Sequence, residues 1–503
     1  MMVRAVLALL LVLGACTPGS DVPGAALRVD IVGSMADPTS PPGRAIIAAT
    51  QMGLTGFDGR GRVVPGLATS WRVASDGRSV IFRLRDAAWA DGRKVTAADV
   101  VAVFRRIAAP ASVNPLKFYL GTIENAAAVA SGALPPAALG VEAPVENVVE
   151  VRLAVPMPEL LALLATPDAA IVRSGAKPPA LGPFEVKDVG SRPIELTRNA
   201  RYTGTSPELG RLLLTPVDDP GAALARFARD RTDVVIGSGL AGLSEARLLG
   251  PQVLHVEASW GLYGYLVNVR AGALADPRVR RALAMAAGRD GLGQRLFGVG
   301  AMVPALGLLP PGLPSAPTPT LPDWAALDPV ARREAARQLL TDAGFFEGKS
   351  LTITVTLPPG REHAAVLAAV AADWAAIGVR TMVRELGPQP LAVALAKGDF
   401  ELALSERMTP VDTRGFFLAP FRCGRSAGGY CNPAADALLA APADPPRRAA
   451  TVAAVETALL ADTPLIPLFV PVRWSLVQPR VTGWTDNAAG EHPLAKLGVG
   501  GAR

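Results

Sequence analysis

The sequence predicts an α/β protein built from two unequal lobes, and three observations lead to that class. The chain has 503 residues, which at roughly 150 residues per domain suggests about three domains or one large composite fold. Its first half is rich in short stretches where apolar and polar residues alternate, the mark of half-buried strands. Its second half alternates helical and strand patterns, the mark of an α/β lobe. Half of the residues are hydrophobic and 19% are charged, so a large core is supported and wholesale disorder is excluded.

The elements follow in order. Leu27 to Val32 alternates as a strand and runs into the turn-rich Gly33-Ser34-Met35-Ala36-Asp37-Pro38. Trp71 to Val73 and Ser79 to Arg85 flank Asp76-Gly77, a hairpin turn pair. Thr96-Ala97-Ala98-Asp99 is a capping-box start for a helix that carries Val100, Val103, Phe104 and Ile107 on one face. Phe184 to Val189 and Ile194 to Arg198 read as a strand pair, and Ala222 to Phe227 as a short helix. Val234 to Ile236, Val253 to Val256 and Leu262 to Val269 read as strands, and Pro277 to Arg289 as a helix. Leu306 to Pro322 is too rich in proline for anything but loop. Asp328-Pro329 caps a helix that stops at Gly344. After it, strands at 351–357, 380–386, 400–405 and 465–470 alternate with helices at 363–377, 392–397, 436–439 and 449–461.

The N-terminal segment reads as an address. Arg4, the apolar run Ala5 to Leu13 and the small residues before Cys16 make a secretory signal. Leu13-Gly14-Ala15-Cys16 resembles a bacterial lipobox, which implies cleavage before Cys16 and lipidation of that cysteine. Export in turn makes Cys423 and Cys431 a predicted disulfide across a glycine-rich loop. The net charge of +6 is spread thinly, without a basic block, which argues against nucleic acid as a partner. None of the three histidines, His255, His363 and His492, stands in a metal-binding spacing, and no nucleophile elbow is present. The expectation is therefore a binding protein with no catalytic residues, no metal and no cofactor.

One motif argues the other way. Asp233-Val234-Val235-Ile236 leads into Gly237-Ser238-Gly239-Leu240-Ala241-Gly242, a G-x-G-x-x-G after a strand, with Glu257 further on. Such glycines can approach a pyrophosphate and such a carboxylate can hold a ribose, so a secreted flavin- or NAD-dependent oxidoreductase is the alternative. Against it, Gly250-Pro251 leaves room for only a short helix behind the glycines.

A denser set of motifs carries a family resemblance. Leu67-Ala68-Thr69-Ser70-Trp71, Asp76-Gly77, Phe82-Arg83-Leu84-Arg85, Asp91-Gly92 and Thr96-Ala97-Ala98-Asp99-Val100 come in a fixed order. Gly182-Pro183-Phe184, Leu196 to Tyr202, Asp276 to Leu283 with Arg289-Asp290, Ala336 to Gly344, Gly398 to Ala403 and Tyr430-Cys431-Asn432-Pro433 follow. The chain resembles the family-5 extracellular solute-binding proteins of bacterial ABC importers, the oligopeptide, dipeptide and nickel group. The resemblance implies a two-lobed periplasmic-binding-protein-like fold (type II) with an extra β-rich subdomain on the first lobe. It implies a monomer, anchored in the envelope through its lipid, that captures a peptide-like solute by hinge closure and delivers it to a permease and its ATPase. The implied division is a signal peptide at 1–15, a linker at 16–26, and lobe 1 from 27–44, 181–262 and 485–503. The subdomain takes 45–180 and lobe 2 takes 263–484, with crossings near 263–269 and 474–484.

By position in the resemblance, Ser34, Met35, Tyr263, His363, Glu406, Arg407 and Asp412 are the expected ligand-binding residues. The segment Ser405 to Asp412 departs from the peptide-binding pattern. Arg407 stands where relatives carry a tryptophan, and Pro410 where they carry the aspartate that pairs with the peptide's ammonium. That carboxylate is lost unless Glu406 or Asp412 replaces it, and Arg407 would suit an anionic ligand.

Overall fold

The computed structural model describes residues 26–500, apart from 36–39, 176, 189, 238 and 441–444. The expected signal segment and Cys16 lie outside the described residues.

Three sheets organise the chain. Strand β1 (Ala26–Val32) is followed by helix α1 (Pro41–Thr50), whose Ser40 cap accepts from the Gly43 N–H. Next come β2 (Ala68–Val73), β3 (Ser79–Leu84), the expected capped helix α2 (Ala97–Ala108), β4 (Val141–Val145) and β5 (Val148–Arg152). After these run β6 (Phe184–Asp188), β7 (Ile194–Arg198), β8 (Arg211–Val217), β9 (Val234–Ile236) and β10 (Leu254–Ala258). The chain then builds β11 (Trp260–Val267), β12 (Leu351–Leu357), α3 (Arg361–Ala375), β13 (Val379–Glu385), β14 (Leu402–Thr409) and β15 (Leu465–Phe469). It returns as β16 (Val472–Val477).

The first sheet has the order β10-β16-β9-β1-β8-β7-β6, and the second β13-β12-β14-β11-β15. The four strands β2-β3-β5-β4 form a separate sheet with its own core around Phe82, Trp89 and Phe104. Within the first sheet β1 runs parallel to β8 and β9, and in the second β12 runs parallel to β13 and β14. Strand β16 runs antiparallel to both of its neighbours and alternates Val472, Trp474 and Leu476 with Arg473 and Ser475.

The sheets correct the expected crossings. Trp260 already pairs with Thr409 in the second sheet, so the first crossing is at Ser259 and not within 263–269. Val472–Val477 pairs with β9 and β10 of the first sheet, so the return is at Pro471, ahead of the expected 474–484. Only one residue separates β10 from β11, and proline is tolerated at such a strand end, so neither crossing shows as a loop in the sequence. Strands β4, β5 and β8 and helix α1 are further findings. Helix α1 spans the expected 44/45 boundary and packs Ala49 with Leu27, Val29 and Phe184 of the first lobe's core.

Charge pairing ties the chain's two ends together. The carboxylate of Asp233, only 2% exposed, accepts from the Arg28 N–H and guanidinium and from Arg480. Cys423 and Cys431 are disulfide-bonded, as the sequence predicts.

Candidate functional site

The strand directions decide where a ligand could be held. In α/β sheets, ligands sit beyond the carboxyl ends of parallel strands. In the first sheet that edge carries Gly33-Ser34-Met35 after β1 and Gly237, Gly239 and Gly242 after β9. In the second it carries Gly360 to His363 after β12 and the end of β14. Both crossings leave from these same edges, because Ala258 pairs with Val472 and Trp260 with Thr409. The crossings touch each other: the Ser259 N–H and hydroxyl both donate to the Pro471 carbonyl, at 3.2 and 2.7 Å. The two edges therefore face each other across a narrow, two-stranded joint.

The expected residues divide between different surroundings. Ser34 and Met35 are exposed at the tip of β1. Successive residues of a strand point to opposite faces, so Glu406 and Arg407 cannot share one contact surface. Glu406 stands opposite Tyr263, and Arg407 opposite Leu262.

On the Glu406 face, Tyr263 is fully buried, stacks on Phe469 at 4.5 Å and shares a 3.0 Å hydrogen bond with His363 Nδ1. Burial pushes the Tyr263 phenol far up and the His363 imidazole down, so both are neutral near pH 7. Glu406 Oε1 is shut off from solvent and has no hydrogen-bond partner among the described residues. Burial raises its pKa to about 7.

Gly239 of the first sheet's edge closes on this carboxylate, so near that a Cβ there would lie 2.9 Å from Oε1. Beside it the Gly242 N–H donates to Glu362 Oε1 at 3.2 Å, and Glu245 pairs with Arg361. Neither Glu362, Arg361 nor Glu245 was singled out in the sequence, where nothing but their place near a strand end marks them.

On the other face, burial lowers the pKa of Arg407, whose guanidinium donates to the Phe416 carbonyl and lies 4.4 Å over the Phe416 ring. Tyr119 of the β-rich subdomain stacks on the same ring at 6.2 Å. Asp412 accepts from the Ser315 N–H at 3.0 Å. Next to it Val411 is inserted, 1% exposed, into the subdomain's core, and Thr413 donates to Glu159 of that subdomain. Arg407 and Asp412 thus sit where the second sheet meets the subdomain, apart from the Glu406 group. A further open groove of about 570 Å³, lined by Arg270, Arg384, Lys397 and Asp399, lies on the second lobe alone.

The dinucleotide alternative fails on geometry. Behind the glycines the helix is Leu243–Ala246, four residues, too short to hold a pyrophosphate on its dipole. The glycines serve packing: Gly237 lies against the Trp474 ring, Gly239 against Glu406, and Gly242 against Pro220. Glu257 accepts from the Asn487 N–H at 2.6 Å and pairs with His492 at 2.9 Å.

Comparison with known proteins agrees with this architecture. The bacterial extracellular solute-binding proteins, family 5 Middle, match residues 62–429. The periplasmic murein peptide-binding protein MppA of Escherichia coli is 27% identical over 459 residues, 86% of this chain and 84% of that protein. The periplasmic oligopeptide-binding protein OppA of the same organism is 28% identical over 466 residues, 88% and 84%. The structure of OppA from Burkholderia pseudomallei superposes with a TM-score of 0.84 at 27% identity, covering 94% of this chain and 99% of that one.

Proposed function

The chain belongs to the family-5 bacterial extracellular solute-binding proteins, with their two-lobed periplasmic-binding fold, and from that premise we propose that its solute is peptide-like. Reversible capture by closure of the lobes is the chemistry, with delivery to an ABC permease and its ATPase. One observation carries the reading of closure: the ligand-holding edges of both sheets face each other across two crossings joined by Ser259 and Pro471. Two adjacent crossings form a hinge that can bend without unpacking either lobe. The relatives named above support the peptide class, since their names give murein peptide and oligopeptide as what they bind.

In this reading the second lobe runs from Trp260 to Val470, and β16 with the C-terminal segment completes the first. Ser34 and Met35 offer backbone to a ligand at the first edge. Arg407 organises the second lobe's meeting with the subdomain. The lipobox-like Leu13-Gly14-Ala15-Cys16 supports a place in the envelope with an anchor through Cys16. No helix among the described residues is long and apolar enough to cross a membrane.

A ligand shifts the lobes only by binding the closed form better than the open one. Small-angle scattering with and without a pool of two- to five-residue peptides should show a smaller radius of gyration with the pool. Native mass spectrometry should identify the retained masses. An unchanged radius and no retained peptide would refute the reading.

A further inference from the structure

We infer that the β-rich subdomain is the latch of the closed form, seating Val411 and Arg425 of the second lobe and adding a closing force equal for every solute. The inference rests on the reading that the lobes close around a peptide, and assigns the subdomain a part in that closure.

The subdomain is fastened to the first lobe. Arg44 of α1 pairs with Asp168, Arg85 donates to the Thr203 carbonyl at 2.9 Å, and the Asn487 amide donates to the Gly59 carbonyl at 3.4 Å. The second lobe presents Val411 to it on a braced loop. The buried Thr409 hydroxyl accepts from the Val411 N–H at 3.0 Å and donates to the Val411 carbonyl at 3.2 Å. Asp412 and Arg414 both bond the backbone of Ser315 on the same lobe. The side chain held in this way enters the apolar core that contains Leu160, Leu163 and Leu164 of the subdomain. Beyond it Phe416 stacks on Tyr119, and Arg425 of the disulfide loop lies 4.2 Å over the Phe118 ring.

This seam runs away from the hinge. Thr409 pairs with Trp260, next to the crossing at Ser259. The disulfide loop instead bonds the far end of β11, where the Val269 N–H donates to the Gly428 carbonyl. The two ends of β11 are about 24 Å apart at about 3.4 Å per residue. A rotation about the crossings moves the far end most, so opening draws Arg425 off Phe118 and brings Val411 out into water. Burial of an apolar side chain favours the state that buries it, and a guanidinium over a ring adds to that preference. The chain makes all of these contacts to itself. With the ligand-free protein open, they multiply the affinity for every peptide by one common factor.

The test is calorimetric titration of the whole protein, of Val411→Ser and of Arg425→Ala with Ala-Ala-Ala, Ala-Lys-Ala and Ala-Glu-Ala. Val411→Ser should weaken all three by about tenfold, the order expected when a valine leaves water only in the closed form. Arg425→Ala should weaken all three by about two- to fivefold. Within each variant the factor should be the same for the three peptides. In the wild type, amide exchange in Leu116–Tyr119 and in the short helix Leu160–Leu163 should slow when peptide is added. Unchanged affinity in both variants, a loss that differs from peptide to peptide, or exchange that peptide does not slow would overturn the latch while leaving peptide capture intact. Failure of the wild type to bind any of the three would overturn peptide capture, and the latch with it.

Discussion

Gly239 is one point at which the first lobe's edge meets the second lobe, against Glu406. Its φ of +54° is one that side-chain-bearing residues adopt only at a cost of about 1–2 kcal/mol. A Cβ there would also lie 2.9 and 3.1 Å from the two Glu406 carboxylate oxygens of the other lobe. The second penalty exists only when the lobes meet. Gly239→Ala should therefore weaken peptide affinity by about fivefold or more, a little over 1 kcal/mol. It should also enlarge the ligand-bound radius in scattering, while the unfolding midpoint moves little. Unchanged affinity would show that Gly239 does not meet Glu406 in the bound state. In the sequence this glycine is visible only as one letter of a G-x-G pattern that suggests phosphate. What it faces belongs to a segment some 170 residues away, and no local pattern encodes that.

At the scale of elements, strand β14 explains why the expected residues fall into two groups. Leu402 to Thr409 shows no clean alternation, because both of its faces are covered: one by Tyr263 and its neighbours, the other by the Leu262 and Phe417 cluster. Its position was legible from the Gly-Asp-Phe that precedes it, but the burial of each face was not. The disulfide loop is the opposite case, since two cysteines eight apart in an exported chain are bonded as expected. In the loop-entropy account a ring of this length stabilises by about 2–3 kcal/mol. The double variant Cys423→Ser/Cys431→Ser should lose about that much in urea unfolding. A loss near zero would mean that the Tyr430–Asp462 hydrogen bond and the surrounding packing already hold the loop.

Across the whole molecule, long-range charge pairing closes the first lobe. Burial alone would push Asp233 upward. Hydrogen bonds from Arg28, with those from Arg480, outweigh it and hold the carboxyl below its usual range. A carboxyl depressed in the folded state stabilises above its unfolded pKa, and that contribution is lost as pH falls through the folded value. Asp233→Asn leaves Arg28 and Arg480 with only the exposed Asp230 as a shared carboxylate. It should cost about 3 kcal/mol or more at neutral pH, and the difference from wild type should shrink on acidification below about pH 4. Equal stabilities at neutral pH, measured by denaturant unfolding, would show that Asp230 suffices as the partner of both arginines.

The sequence by itself determined the fold class, most of the second-half elements, the disulfide and the family, because these rest on local periodicity, caps, turn residues and the order of short motifs. Only the tertiary structure decided where the lobes join, which face each residue of β14 serves, and that Glu406 meets Gly239. Those facts depend on pairing between distant segments, on strand direction and on one-residue register. A chain read locally carries no record of them, since shifting a strand by a single residue exchanges its two faces without changing its composition.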